Sequence, residues 1–179
     1  MLGTKDRMFL VTDSYGIPNH FFGPIPGQFY AVIGRVTMLG ALLEQRVLEL
    51  LWAIDDEPQP VHAGKSVAEL LRLIEKPPLS RSDATDDDVR DMLRRVRVVI
   101  EERNAVVHSL WPEATLRIAF RWRPRTLKRR ANESEWMQGE FVTRKDLRGI
   151  VSRLVTVNDE LATMSQRLHS HRVTMSTDG

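Results

Sequence analysis

Six consecutive residues, Arg103-Asn104-Ala105-Val106-Val107-His108, combine side chains that handle phosphate and protons. An imidazole exchanges a proton near neutral pH, which suits it to general acid or base work. A guanidinium presents a planar fork of donors that matches phosphate oxygens. Position adds to type. Val89, Met92, Leu93, Val96, Val99, Ile100 and Val107 recur at helical spacing, and the pattern calls for an apolar residue at 103. Arg103 instead falls mid-stripe, between the angles of Val96 and Val99. A charge in a packed seam is costly unless it is paired and hydrogen-bonded. Asn104 and His108 lie at the edge of the stripe, one turn apart, so they are neighbours. Glu44, on the flank of an earlier apolar arc, is a candidate partner for Arg103 if the two helices pack. It would serve equally as a boundary residue reaching water.

A second group follows directly. Residues 117–130, RIAFRWRPRTLKRR, hold Arg117, Arg121, Arg123, Arg125, Lys128, Arg129 and Arg130 and no acid. The whole chain has 26 Lys and Arg against 24 Asp and Glu, a formal charge of +2. Taking those seven away leaves 19 basic against 24 acidic residues, a remainder of −5. A basic patch on an acidic body suits an anionic partner. A solvated charged loop is the plainer alternative. Other candidates lack a constellation. His20, His62, His169 and His171 have no metal-ligand spacing, Ser109 has no triad around it, and there is no Gly-rich phosphate loop. Gly34 and Gly40 lie inside a helix, where they would allow close packing.

The elements that must position these residues follow from periodicity. Gly16, Pro18, Gly23, Pro24, Pro26 and Gly27 break up residues 1–28, which read as an extended N-terminal arm that packs Phe21 and Phe22. A helix over 29–54 carries Phe29, Val32, Val36, Leu43, Val47 and Leu50 on one arc. A short helix at Ser66–Glu75 opens with Ser66 as N-cap and Glu69 three residues on. The third helix, about 86–110, bears the Arg103 sequence, and Pro112 lies beyond it. Leu116, Ile118, Phe120 and Trp122 then alternate with Arg117, Ala119, Arg121 and Arg123, which predicts a strand over 115–123 with one apolar and one basic face. A weaker strand near 135–142 completes an antiparallel hairpin, with Trp122 and Trp136 read first as its core. The last helix starts after Thr143, with Asp146 placed to cap it. One domain spans 29–172, and the tail from 173 frays.

Composition excludes several classes. The 179 residues include no Cys, so disulfides, Cys-ligated metal sites and a Cys nucleophile are absent. No apolar run reaches the roughly 18 residues of a membrane span. The first residues lack the basic-then-apolar order of a secretory signal, and a cytoplasmic location is expected. With 42% hydrophobic and 28% charged residues the chain has the make-up of a globular protein.

Arg-x4-His, with Asn after the Arg, late on a long helix of a mainly helical chain, resembles the HEPN superfamily. These are small helical domains whose motif is an Arg and a His separated by four to six residues. Many are metal-independent ribonucleases of toxin–antitoxin, abortive-infection and phage-defence systems. The resemblance implies a mainly α fold, an HEPN-like helical bundle, here with an added β-hairpin at about 115–142 before the last helix. It implies that Arg103 and His108 are the catalytic pair and Asn104 their polar neighbour, with Glu44, by its position on the first helix, the candidate support. It implies a homodimer with both motifs facing one cleft, RNA as substrate, no cofactor or metal, and a protein antitoxin as a further partner. In such a site His108 moves a proton of the RNA 2′-OH or of the leaving 5′-oxygen while Arg103 holds the phosphate oxygens. The basic strand and loop would follow the RNA backbone, with Trp122 and Trp136 as alternative base platforms. Two other readings stay open: a non-catalytic dimeric module that binds RNA or a protein, and a structural subunit that docks through the N-terminal arm.

Overall fold

The computed structural model describes residues 12–13, 15–18, 25–55, 59–76, 83–124 and 137–177. Among the described residues there are four helices: α1 (Gly27–Ile54), α2 (Val67–Glu75), α3 (Asp83–Val107) and α4 (Arg144–Thr177). A 3-10 turn at Gln59–His62 lies between α1 and α2. Three strands, β1 (Leu110–Ala114), β2 (Ile118–Pro124) and β3 (Met137–Thr143), separate α3 from α4. The fold is therefore mainly helical with one small antiparallel sheet, ordered β1-β2-β3. Among the described residues no helix is long and apolar enough to cross a membrane.

The helix starts follow from local chemistry. Ser66 Oγ accepts from the Glu69 backbone N–H at 3.4 Å, and Glu69 Oε2 accepts from the Ser66 N–H at 2.8 Å. Thr143 and Asp146 repeat the device at α4, at 3.1 and 2.8 Å. Each box satisfies two donors that a helix start otherwise leaves unpaired. The Ser66 and Thr143 hydroxyls also donate to these carboxylates, at 2.6 Å each, and those bonds, followed by the ones from the cap N–H groups, stabilise the ionised form and hold the Glu69 and Asp146 side chains below their ordinary range. At the arm, Asp13 Oδ1 accepts from the Tyr15 and Ile17 N–H groups, and Gly16 takes φ +78°. Thr12 and Pro18 pair across this turn. Phe21 and Phe22 lie outside the described residues.

The chain divides into two contact units, residues 1–36 with 103–150 and residues 37–102 with 151–179. The second is a bundle of helix segments. Leu43, Leu50, Ile74, Met92, Leu93, Leu154 and Leu161 are buried in it. Asn158, also buried, donates to Leu39 O on α1 at 3.2 Å and to Leu154 O at 2.8 Å. Arg95 pairs with Glu160, Arg153 with Glu102 and Arg97 with Glu75, joining α3 to α4 and α2. His62 Nε2 lies 2.9 Å from Asp55 Oδ2, fixing the 3-10 turn to the end of α1.

The first unit holds the sheet. Phe29, Val36, Val106, Trp111, Ala119, Val142 and Leu147 form its buried set. Several sequence expectations need correction here. The hairpin at 115–142 is a three-stranded sheet, because 110–114 is a strand and not the end of a helix. Pro112 is tolerated there because β1 is an edge strand, and the register shifts between Leu110 and Glu113. Helix α3 ends at Val107 and not near 110. Helix α4 runs to Thr177, and no Gly or Pro follows Gly149 within it. Gly34 is exposed with nothing within 4 Å of where a Cβ would stand, so it serves no close approach.

Candidate active site

Helix α3 carries Arg103 and Asn104 in its last turn, and His108 follows one residue beyond its end. Arg103 is half-buried, its Nε sheltered from solvent, and its Nη1 donates to Asn104 Oδ1 at 3.0 Å. The Asn104 carbonyl accepts the His108 backbone N–H at 3.0 Å. His108 stands in the turn just beyond the helix, exposed. The amide of Asn104 therefore fixes the guanidinium, while its main chain fixes the backbone of the residue that carries the imidazole. An exposed imidazole can exchange protons with solvent or substrate, and a guanidinium is suited to phosphate oxygens.

The sheet secures this helix end. The Ala105 carbonyl accepts from Arg121 Nη1 at 3.0 Å and from Ser109 Oγ at 2.5 Å. The Val106 carbonyl accepts from Trp111 Nε1 at 3.2 Å. Carbonyls at a helix C-terminus have no partner within the helix, so each such bond removes an unmet acceptor. A cation there also complements the negative end of the helix dipole. Arg121 further pairs with Glu140, its cross-strand partner on β3. Burial, and then the like charge of Arg123, lower the Arg121 guanidinium below its ordinary range.

These contacts sort the basic residues. Arg121, expected to bind RNA, is turned inward: its side chain is 13% exposed and holds the end of α3. Arg117 and Arg123 are exposed. Arg125, Lys128, Arg129 and Arg130 lie outside the described residues, as does Trp136. Glu44 occupies an exposed position of α1. Among the described residues, no group of three His, Asp or Glu side chains forms a cluster that could hold a metal ion.

Sequence reasoning missed the clamp formed by Trp111 and Arg121. Alternation showed that β2 has two unlike faces but not which one turns inward. Asn158 was also missed, although its signal, a polar residue four after Leu154 and three before Leu161 in an apolar stripe, is the one that singled out Arg103. No protein-family model, curated protein or solved structure matches this chain.

Proposed function

We propose that the chain is a metal-independent endoribonuclease of the HEPN type. One observation carries the reading: Arg103, bonded to Asn104, lies in the last turn of a helix whose carbonyls the sheet holds in place, and the exposed His108 follows directly after it. The 2′-OH attacks the adjacent phosphorus, and the bond to the 5′-oxygen breaks. His108 takes the 2′-OH proton or delivers one to the leaving 5′-oxygen, and the products are a 2′,3′-cyclic phosphate and a 5′-OH. Arg103 bears on the non-bridging oxygens as their charge grows. One motif His per chain leaves acid and base unshared, so the reading includes a homodimer that supplies two. It also includes a cytoplasmic role as a toxin or phage-defence effector, with a protein antitoxin as partner.

The nucleophile gives the test. Unmodified RNA and the same sequence 2′-O-methylated at every position are incubated with the protein, and the product ends are identified. Cleavage of the unmodified strand alone, leaving cyclic phosphate ends, supports the reading. Cleavage of the methylated strand, or products with 5′-phosphates, would refute it. A second reading, a non-catalytic binding module, draws on the exposed apolar face of the sheet, and it expects neither strand to be cut.

A further inference from the structure

Register sorts the small sheet into two unlike faces. Ala119, Arg121 and Arg123 of β2 share one face with Val142, Glu140 and Gln138, their cross-strand partners on β3. Ala119 is 1% exposed and Arg121 reaches the Ala105 carbonyl, so this face turns inward. The opposite face carries Ile118, Phe120 and Trp122 of β2 beside Thr143, Phe141 and Gly139 of β3. Leu110 of β1, the partner of Trp122, extends it. Side chains alternate along a strand, so both charges of β2 fall on the inner face and its large apolar residues on the outer one. Trp122, expected in the hairpin core, is consequently at the surface, because the α3 carbonyls need the donor that Arg121 supplies.

The outer face is exposed and its rings are already packed together. Leu110 is 61% exposed, Ile118 44%, Trp122 46% and Phe141 73%. Phe120 and Phe141 are directly opposed across β2 and β3, with ring centroids 5.0 Å apart. Phe120 and Trp122 lie 6.1 Å apart, edge to face. A Cβ at Gly139 would stand 2.5 Å from Phe120 Cζ, so the Phe120 ring covers that glycine. Contiguous exposed apolar surface of this kind marks an interaction site.

We propose that two copies of the chain pair through this face, sheet against sheet, with Trp122 and Phe141 as its anchors. Charge and area select a second copy as the occupant. A two-fold axis sets the residues near it against their own copies, so a charged face repels itself and an uncharged one does not. The outer positions of β2 and β3 hold no charge, and Glu113, the acid in register with Phe120, belongs to the edge strand β1, at the rim. The same register turns Arg121 and Arg123 away, so a phosphate-bearing occupant meets no cation at these outer positions. With about 200 Å² for each large side chain, the exposed parts of Leu110, Ile118, Trp122 and Phe141 amount to roughly 450 Å². A standard interface buries about 800 Å² per partner, of which about 60% is non-polar, so this face supplies the apolar part of one whole interface. Sheets stack face to face at about 10 Å, which brings the two sets of side chains into contact. The proposal gives a surface to the homodimer named above, one that begins two residues beyond His108, but it rests on the face and not on catalysis.

The oligomeric state tests this directly. Sedimentation velocity of the full chain over a range of micromolar concentrations should show a dimer for the wild type. Trp122→Lys and Phe141→Lys each put a charge into the buried apolar contact of both copies and should weaken the dimer about 30-fold or more, the scale of an interface hot spot. Met38→Lys on α1 and Val98→Lys on α3 place the same charge on exposed apolar positions away from the sheet and should leave the dimer unchanged. All four sites are exposed, so each variant should fold, and an unchanged far-ultraviolet circular dichroism spectrum verifies it. A wild type that stays monomeric would overturn the proposal and leave the face to a different partner. So would a dimer that survives the Trp122→Lys, Phe141→Lys double variant, or one lost in Met38→Lys or Val98→Lys and kept in the sheet variants, because the contact would then lie elsewhere. The cleavage assay separates this claim from the ribonuclease reading. A dimer that depends on Trp122 and Phe141 and cuts nothing leaves the interface standing and removes that reading, whereas a monomer that cuts RNA removes the interface alone.

Discussion

Arg121 and Arg123 stand two residues apart on β2 and do different work. Arg121 donates to the Ala105 carbonyl and pairs with Glu140, while Arg123 is exposed. A charged donor on a carbonyl contributes about 1.5–3 kcal/mol. The exposure of Glu140 screens its share, so Arg121→Gln should cost about 1–2 kcal/mol, or roughly 2–8 °C of melting temperature. Its effect on the salt dependence of RNA binding should be negligible. Arg123→Gln should show the opposite pattern. The melting temperature should stay within about 1 °C, and the slope of log K against log salt should fall by about 0.7, one phosphate contact to a single strand. A slope that responds to Arg121 and ignores Arg123 would reverse these roles. The Arg103 anomaly was legible in the sequence because a helical stripe has a defined angle for every residue. The inward turn of Arg121 was not legible, because its acceptor lies 16 positions away at the end of another element.

At the scale of elements, two glycines give opposite expectations for one substitution. Gly34 lies mid-helix with open space around it, so Gly34→Ala should stabilise by about 0.5–1 kcal/mol through reduced backbone freedom in the unfolded chain. Gly139→Ala pushes a Cβ into the Phe120 ring and should destabilise by about 1 kcal/mol or more, with the outer aromatic cluster displaced. Thermal unfolding of the two variants distinguishes the signs. The capping boxes give a dependence on pH. Bonding to Thr143 lowers the Asp146 pKa in the folded state, so its stabilisation is complete above the ordinary aspartate range. It is lost as pH falls through the depressed folded value. The melting temperature of Thr143→Ala should therefore lie below that of the wild type at pH 7, and the gap should close below about pH 4. A gap independent of pH would assign the cap to the hydroxyl alone. Both boxes were legible because capping acts within four residues. Strand β1 was not, because Pro112 argues against a strand until an edge position and a register shift accommodate it.

For the whole molecule, a net charge of +2 conceals a separation between an acidic body and the basic segment that follows the candidate site. The sequence disclosed this separation and the mainly helical architecture. It did not disclose that the small sheet would bind the end of α3 through one face and present aromatic rings on the other. That outcome depends on pairing across three strands and on which side chains can satisfy helix carbonyls, neither of which is a local property. In the proposed ribonuclease, the bonds of Arg121 and Trp111 to the Ala105 and Val106 carbonyls steady the helix end just before His108. In that proposal His108 moves the proton. The most direct measurement is the rate of cleavage of single-stranded RNA in EDTA by the wild-type protein and by His108→Ala. Cleavage that persists in EDTA and falls about 100-fold or more in the variant is the expected result, on the usual scale of general acid–base catalysis. An unchanged rate in His108→Ala, or no cleavage by the wild type, would contradict it.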